Sequence, residues 1–165
     1  MNTAIIYRNY SSKNRLYELK KIANNCKKNR IKLFVSNDLK LALKVKANGV
    51  YIPSFNKARK FSNLENKKLL ILGSAHNQKE VREKIVQKCK IIFLSPLFRV
   101  KKSKKFLGLY KLNNLSINNK NVFFALGGIS KKNIKKIKLL NVGGVAGISI
   151  FKKKTGLLNR PVFKE

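Results

Sequence analysis

The chain is nearly without acid. Among its 165 residues stand six Asp and Glu against 39 Lys and Arg, and Asp38 is the only aspartate. Chemistry that needs several carboxylates, such as an all-carboxylate divalent metal site, is therefore short of ligands. Histidine is equally scarce, with His76 alone, and the two cysteines, Cys26 and Cys89, lie far apart without a CxxC spacing or a neighbouring histidine. That pattern argues against a zinc site and a disulfide framework and leaves two free, buried or half-buried thiols. No apolar run reaches the roughly 18 residues that suggest a spanning helix, so no membrane partner is expected. The N-terminus MNTAIIYRNY has neither a basic leader segment nor a long apolar stretch, so secretion is not expected and the reading is cytoplasmic.

What the chain has in excess is positive charge. A formal charge of +33 points first to nucleic acid or another polyanion. The composition supplies a blander origin. Lysine accounts for 32 of the basic residues and arginine, which forks onto phosphates and guanines, for only seven. Asn and Ile are abundant too, as a codon bias toward A and T would produce everywhere at once. The basic residues fall on every predicted helix and loop instead of forming one stripe. Salt-sensitive, nonspecific polyanion binding is expected, and no specific nucleic-acid function.

With 44% hydrophobic residues the chain can bury a core, and its length fits one domain over 1–165. Short apolar runs recur at near-regular intervals: TAIIY at 3–7, IKLFV at 31–35, GVYI at 49–52, LLILG at 69–73, IIFL at 91–94, VFFAL at 122–126 and GVAGI at 144–148. Each reads as a strand buried on both faces of a parallel sheet. Between them, apolar residues at three- and four-residue spacing predict helices over 12–29, 38–47, 77–88 and 131–140. Strand-helix alternation implies parallel crossovers, in an open doubly wound sheet or a TIM (β/α)8-type barrel. The small, polar turns after the last two runs, ALGGIS and AGIS, favour the barrel, because barrels often place a phosphate site in the loops after strands seven and eight. Glycine-turn N–H groups cradle an anion without a charged side chain.

In order, IIYRNY, LFVSNDLKLALKVKANGVYI, LILGSAHNQKEV, IIFLSPLFRVKKSKKFLGL, VFFALGGIS and GVAGISIF resemble the thiamine-phosphate synthase and TenI family of TIM barrels. The resemblance covers roughly residues 3–151. IIYRNY matches the family's second strand, so the first βα unit is expected to be lacking, with seven parallel strands recognisable. A dimer partner, making a homo-oligomer, or the C-terminal segment TGLLNRPVFKE would then cover the open edge.

The resemblance implies small phosphorylated substrates: a thiazole phosphate displaces pyrophosphate from a hydroxymethylpyrimidine pyrophosphate, with Mg²⁺ on the leaving group. It carries the catalytic roles to Arg8, Asn37 and Ser74, the metal ligand to Asp38, and the thiazole-phosphate nest to Gly127, Gly128, Ile148 and Ser149. Lys102, with Lys101 and Lys104, would clamp phosphate from the basic loop. The sequence departs from the synthase pattern where Asn56 replaces the second magnesium aspartate, Ile6 a glutamine and Tyr10 a lysine. The TenI branch, which aromatises a thiazole phosphate, uses a histidine where this chain has Pro96. Two alternatives to the synthase therefore stand: a TenI-like or degenerate thiazole-phosphate-binding protein, and a polyanion binder built on a barrel. Plainer roles compete residue by residue. Asp38 suits a helix cap before Leu39, Ser74 a cap, Arg8 a strand-end charge, Gly127 and Gly128 a tight turn, and the lysine loop a solvated run.

Overall fold

The computed structural model describes residues 3–61, 68–101, 103, 105–117, 119–148 and 150, and the backbone of 162–164. Parallel strands β1 (Thr3–Tyr7), β2 (Lys32–Ser36), β3 (Gly49–Ile52), β4 (Leu70–Ala75), β5 (Ile91–Leu94), β6 (Val122–Leu126) and β7 (Gly144–Gly147) follow one another around a barrel. Helices α1 (Arg15–Lys28), α2 (Leu39–Lys44), α3 (Gln78–Val86) and α4 (Gly108–Ile117) lie between them in sequence. Four of the apolar runs coincide with their strands residue for residue, and the others shift by one or two positions.

An eighth strand closes the barrel. β8 (Val162–Lys164) runs antiparallel to both β7 and β1, with Val162 opposite Ile5 on one side and Gly147 on the other. The C-terminal segment thus covers the edge between β7 and β1, one of the two covers expected for it, and the described strands form a closed barrel. The segment 131–140 departs from the expected α-helix: Ile134–Leu139 forms a 3₁₀ helix. Five lysines crowd residues 131–138 without an acidic residue, and like charges three or four apart disfavour a longer α-helix.

Strand parity sorts the side chains into two cores. Inside the barrel lie Ala4, Ile6, Phe34, Tyr51, Leu72, Phe93, Phe124 and Ala146. Tyr51 meets Phe93 at 5.9 Å between ring centroids and Phe93 meets Phe124 edge-on at 5.6 Å. Alternate residues, including Leu33, Val35, Val50, Ile71, Ile92 and Phe123, face a larger core shared with Leu19, Ile22 and Cys26 of α1 and Val81 of α3. Both cysteines are free and buried, and burial pushes the Cys89 thiol up to about 12. β3 and β4 approach so closely that a Cβ on Gly49 would sit 1.9 Å from the Leu70 carbonyl oxygen.

Candidate functional site

Continuing the inward parity past each strand brings Arg8, Ser36, Ser74 and Ser95 to the carboxyl-terminal mouth of the barrel. Arg8 is exposed, and its guanidinium lies 5.5 Å from the centroid of the Tyr51 ring. Tyr51 is 2% exposed. Burial pushes its hydroxyl above the ordinary phenol range, against the downward pull of Arg8 and of the Ser74 hydroxyl. Arg8 and Ser74 therefore converge on one buried ring.

Asn37 adopts a left-handed conformation, φ 59°, one that asparagine tolerates better than most side chains. The twist turns its N–H to the Tyr51 carbonyl at 2.9 Å, and its Oδ1 accepts from Asn56 Nδ2. Asn56 Oδ1 is itself taken by the Ala58 N–H at 2.7 Å. The Tyr10 hydroxyl hydrogen-bonds the buried Ser36 hydroxyl at the end of β2. Arg8 and Ser74 thus meet at Tyr51, and Asn37, bonded to the Tyr51 carbonyl, holds Asn56 beside them.

Asp38 caps α2. Its Oδ1 accepts from the Leu41 N–H at 2.9 Å, and its Oδ2 lies 3.4 Å from Arg15 Nη1. Arg15 opens α1 with its guanidinium carbon 5.8 Å from the Tyr7 centroid and 5.6 Å from that of Tyr10. Its Nε and Nη2 are buried with no hydrogen-bond partner among the described residues. Glu18 fastens the loop between β1 and α1, accepting from Tyr7 Oη at 2.8 Å and Ser12 Oγ at 2.7 Å. Among the described residues no group of three or more His, Cys, Asp or Glu could hold a metal ion.

Across the mouth, Gly127 and Gly128 form the turn after β6 with φ of 95° and 70°. A Cβ on Gly127 would lie 2.8 Å from Pro96 Cβ, and one on Gly128 2.6 Å from the Phe98 carbonyl oxygen. The turn is braced by Asn133, which donates to the Gly128 carbonyl at 2.9 Å and accepts from the Ser130 N–H at 2.8 Å. Among the described residues nothing hydrogen-bonds the N–H groups of Gly127 and Gly128. Ile148, just beyond β7, is half exposed. Ser149 and Lys102, with Lys104, lie outside the described residues.

His76 stands apart from the Tyr51 cluster. Its Nδ1 is 2.8 Å from Glu80 Oε2, and it borders a cavity of about 590 Å³ with Ser95, Pro96, Lys105, Phe106 and Lys111. None of Arg8, Asn37, Asp38, Tyr51 or Ser74 lines that cavity.

Two residues at the site went unread in the sequence. Arg15 looks like an ordinary polar position of an amphipathic helix. Lys84 looks like one more surface lysine, yet it is 0% exposed. Its Nζ donates to the Asn56 carbonyl at 2.7 Å and to Gln87 Oε1 at 2.8 Å, and Gln87 Nε2 reaches the carbonyls of Asn56 and Ala58 at 3.0 Å each. The pair clamps the loop after β3 and so sets Asn56 against Asn37. Only a signal for burial would have found it, and lysine carries none.

Comparison with known proteins gives this mouth a context. A thiamine-phosphate synthase of Prochlorococcus marinus is 30% identical over 138 residues, covering 80% of this chain and 39% of that protein. A second, from the subspecies pastoris, is 32% identical over 152 residues, covering 90% of this chain and 42% of that protein. The chain thus spans about two fifths of the length of these relatives. Among solved structures, thiamine phosphate pyrophosphorylase from Pyrococcus furiosus superposes with a TM-score of 0.75 at 22% identity, covering 88% of this chain and 71% of that one, and shares the fold. The family model described as thiamine monophosphate synthase matches residues 2–151, and the chain belongs to that family.

Proposed function

We propose that the chain is a thiamine-phosphate synthase that joins a thiazole phosphate to a hydroxymethylpyrimidine pyrophosphate at the barrel mouth and releases pyrophosphate. The observation that carries this reading is the presence of two anion-directed half-sites at the same end of the barrel. One is Arg8 over Tyr51 beside Ser74; the other is the Gly127–Gly128 turn, whose N–H groups nothing among the described residues engages. Family membership supplies the pair of substrates.

The chemistry follows from the division of labour. The bond between the pyrimidine's exocyclic carbon and the pyrophosphate oxygen breaks, and the electron pair leaves on the pyrophosphate. Arg8, poised over the Tyr51 ring, meets that growing negative charge as it develops. The glycine turn holds the thiazole phosphate by its backbone dipoles and brings the thiazole to the vacated carbon. The packed aromatic floor formed by Tyr51, Phe93 and Phe124 keeps water from below, which strengthens each of these charge contacts.

No observation favours the tautomerase alternative, since Pro96 stands where its histidine is expected and His76 is tied to Glu80. The test is pyrophosphate release from the two substrates, measured with and without Mg²⁺. Turnover is expected, and Arg8→Ala should lower kcat by about 100-fold, as removal of a charge-stabilising donor does elsewhere. No turnover together with no binding of either substrate would reject the reading.

A further inference from the structure

A divalent cation does not fit the donor set at this mouth. Both oxygens of Asp38 have partners, the Leu41 N–H and the Arg15 guanidinium. Asn56, which stands where the family's second carboxylate is expected, gives its oxygen to the Ala58 N–H and turns its NH₂ group toward Asn37. Mg²⁺ needs near-ideal octahedral oxygen geometry, and here a guanidinium already occupies the space beside the only aspartate.

The unsatisfied atoms point the same way. An absent metal would leave buried oxygens without partners, whereas an absent anion leaves buried N–H donors. At this mouth the orphans are donors, Nε and Nη2 of Arg15. The remaining buried orphan among the described residues, Glu83 Oε2, belongs to the α3 side chain that pairs with Lys57. Arg15 carries a permanent charge and a planar fork suited to phosphate oxygens. One neighbour of the guanidinium, Tyr10, is 45% exposed, so that side of the site can rearrange without disturbing the core.

We propose that Arg15 takes the place of the metal: the site binds its pyrophosphate group as the free polyanion, with Arg15 and Arg8 supplying the countercharge. The inference rests on the synthase reading for the identity of the anion. Asp38 then acts as a positioning residue that holds Arg15 until an anion competes for it.

Calorimetry of inorganic pyrophosphate binding to the full chain, at about 0.15 M salt to screen generic attraction, tests this in EDTA and in excess Mg²⁺. Binding in EDTA is expected, weakening when Mg²⁺ sequesters the free anion. Arg15→Met should weaken it about tenfold or more, the loss of charge-assisted hydrogen bonds. Asp38→Asn keeps a good helix cap and frees Arg15, so it should bind pyrophosphate severalfold more tightly, which a misfolded variant would not do. Binding that requires Mg²⁺ and is lost in Asp38→Asn would overturn the inference and leave the synthase reading standing. Equal affinity in wild type and Arg15→Met would also overturn it. No pyrophosphate binding under either condition would take the synthase reading down with it.

Discussion

Replacing Lys84 with Met probes how the site is held, because Met keeps most of the buried stem and deletes the ammonium. Two charge-assisted hydrogen bonds disappear, to the Asn56 carbonyl and to Gln87 Oε1, worth about 1.5–3 kcal/mol each. Against that loss, the substitution removes a buried cation whose desolvation costs several kcal/mol. The Asn56 carbonyl keeps Gln87 Nε2 as a partner, whereas Gln87 Oε1 is left bare. The net expectation is a loss of about 2 kcal/mol at neutral pH, read from urea denaturation. The pH dependence is the sharper check. Burial lowers the Lys84 pKa below its ordinary 10.5, so between the folded and unfolded values the unfolded chain binds more protons, and stability rises with pH. The burial penalty is present in full below the folded pKa and is relieved as pH climbs toward 10.5. Wild type should therefore gain on Lys84→Met as the solution is made alkaline. A variant that matches wild type at pH 7 and runs parallel to it in alkali would refute the clamp.

Gly49→Ala forces a Cβ to within 1.9 Å of the Leu70 carbonyl in a strand pair that cannot part; a destabilisation of about 3 kcal/mol is expected, and an unchanged melting temperature would contradict the packing. Deleting 162–165 removes the backbone that bridges β7 and β1, so hydrogen exchange should quicken along Thr3–Ile5 and Val145–Gly147 while β3 to β5 stay protected; unchanged protection would show that the barrel closes otherwise. Asn133→Leu removes both braces of the glycine turn, at a cost of about 1–3 kcal/mol, and should weaken thiazole-phosphate binding severalfold by calorimetry. Full affinity in that variant would mean that the turn does not hold the phosphate.

What the sequence discloses depends on how local the cause is. TAIIY, GVYI, IIFL and VFFAL are strands with the bounds their apolar runs mark, because a strand buried on both faces needs nothing else to declare itself. α4 escaped notice: Leu109, Leu112 and Leu115 have helical spacing, but the helix opens at a left-handed Gly108, next to a lysine run that reads as loop. β8 is three residues long and is defined by its neighbours. At the site, Arg8, Asn37 and Ser74, which the family resemblance picks out, sit at or just past the carboxyl ends of β1, β2 and β4. Arg15 and Lys84 act through partners 23 and 28 residues away, and no local pattern records such distances. Gly127 and Gly128 were legible as a turn. Their tight fit against Pro96 and Phe98 was not, and it means that any side chain added there disturbs the fold.

The scarcity of acid and the construction of the mouth have one physical consequence. Four of the six acidic residues are described, and each fastens a loop or helix start near the carboxyl-terminal strand ends: Glu18 the loop after β1, Asp38 the start of α2, Glu83 Lys57 in the loop after β3, and Glu80 the start of α3 through His76. Burial tends to raise the Glu80 pKa, but its hydrogen bonds with His76 bring it below the usual carboxylate value, so Glu80 is ionised at neutral pH. Carboxylates spent on loop anchors are poorly placed to gather a cation. The surrounding charge of +33 repels divalent cations and draws phosphates toward the same mouth. A chain of this composition that keeps a pyrophosphate site is therefore better served by arginine than by a metal, and Arg15, half-buried near two tyrosines beside the one aspartate, is where that substitution would be made.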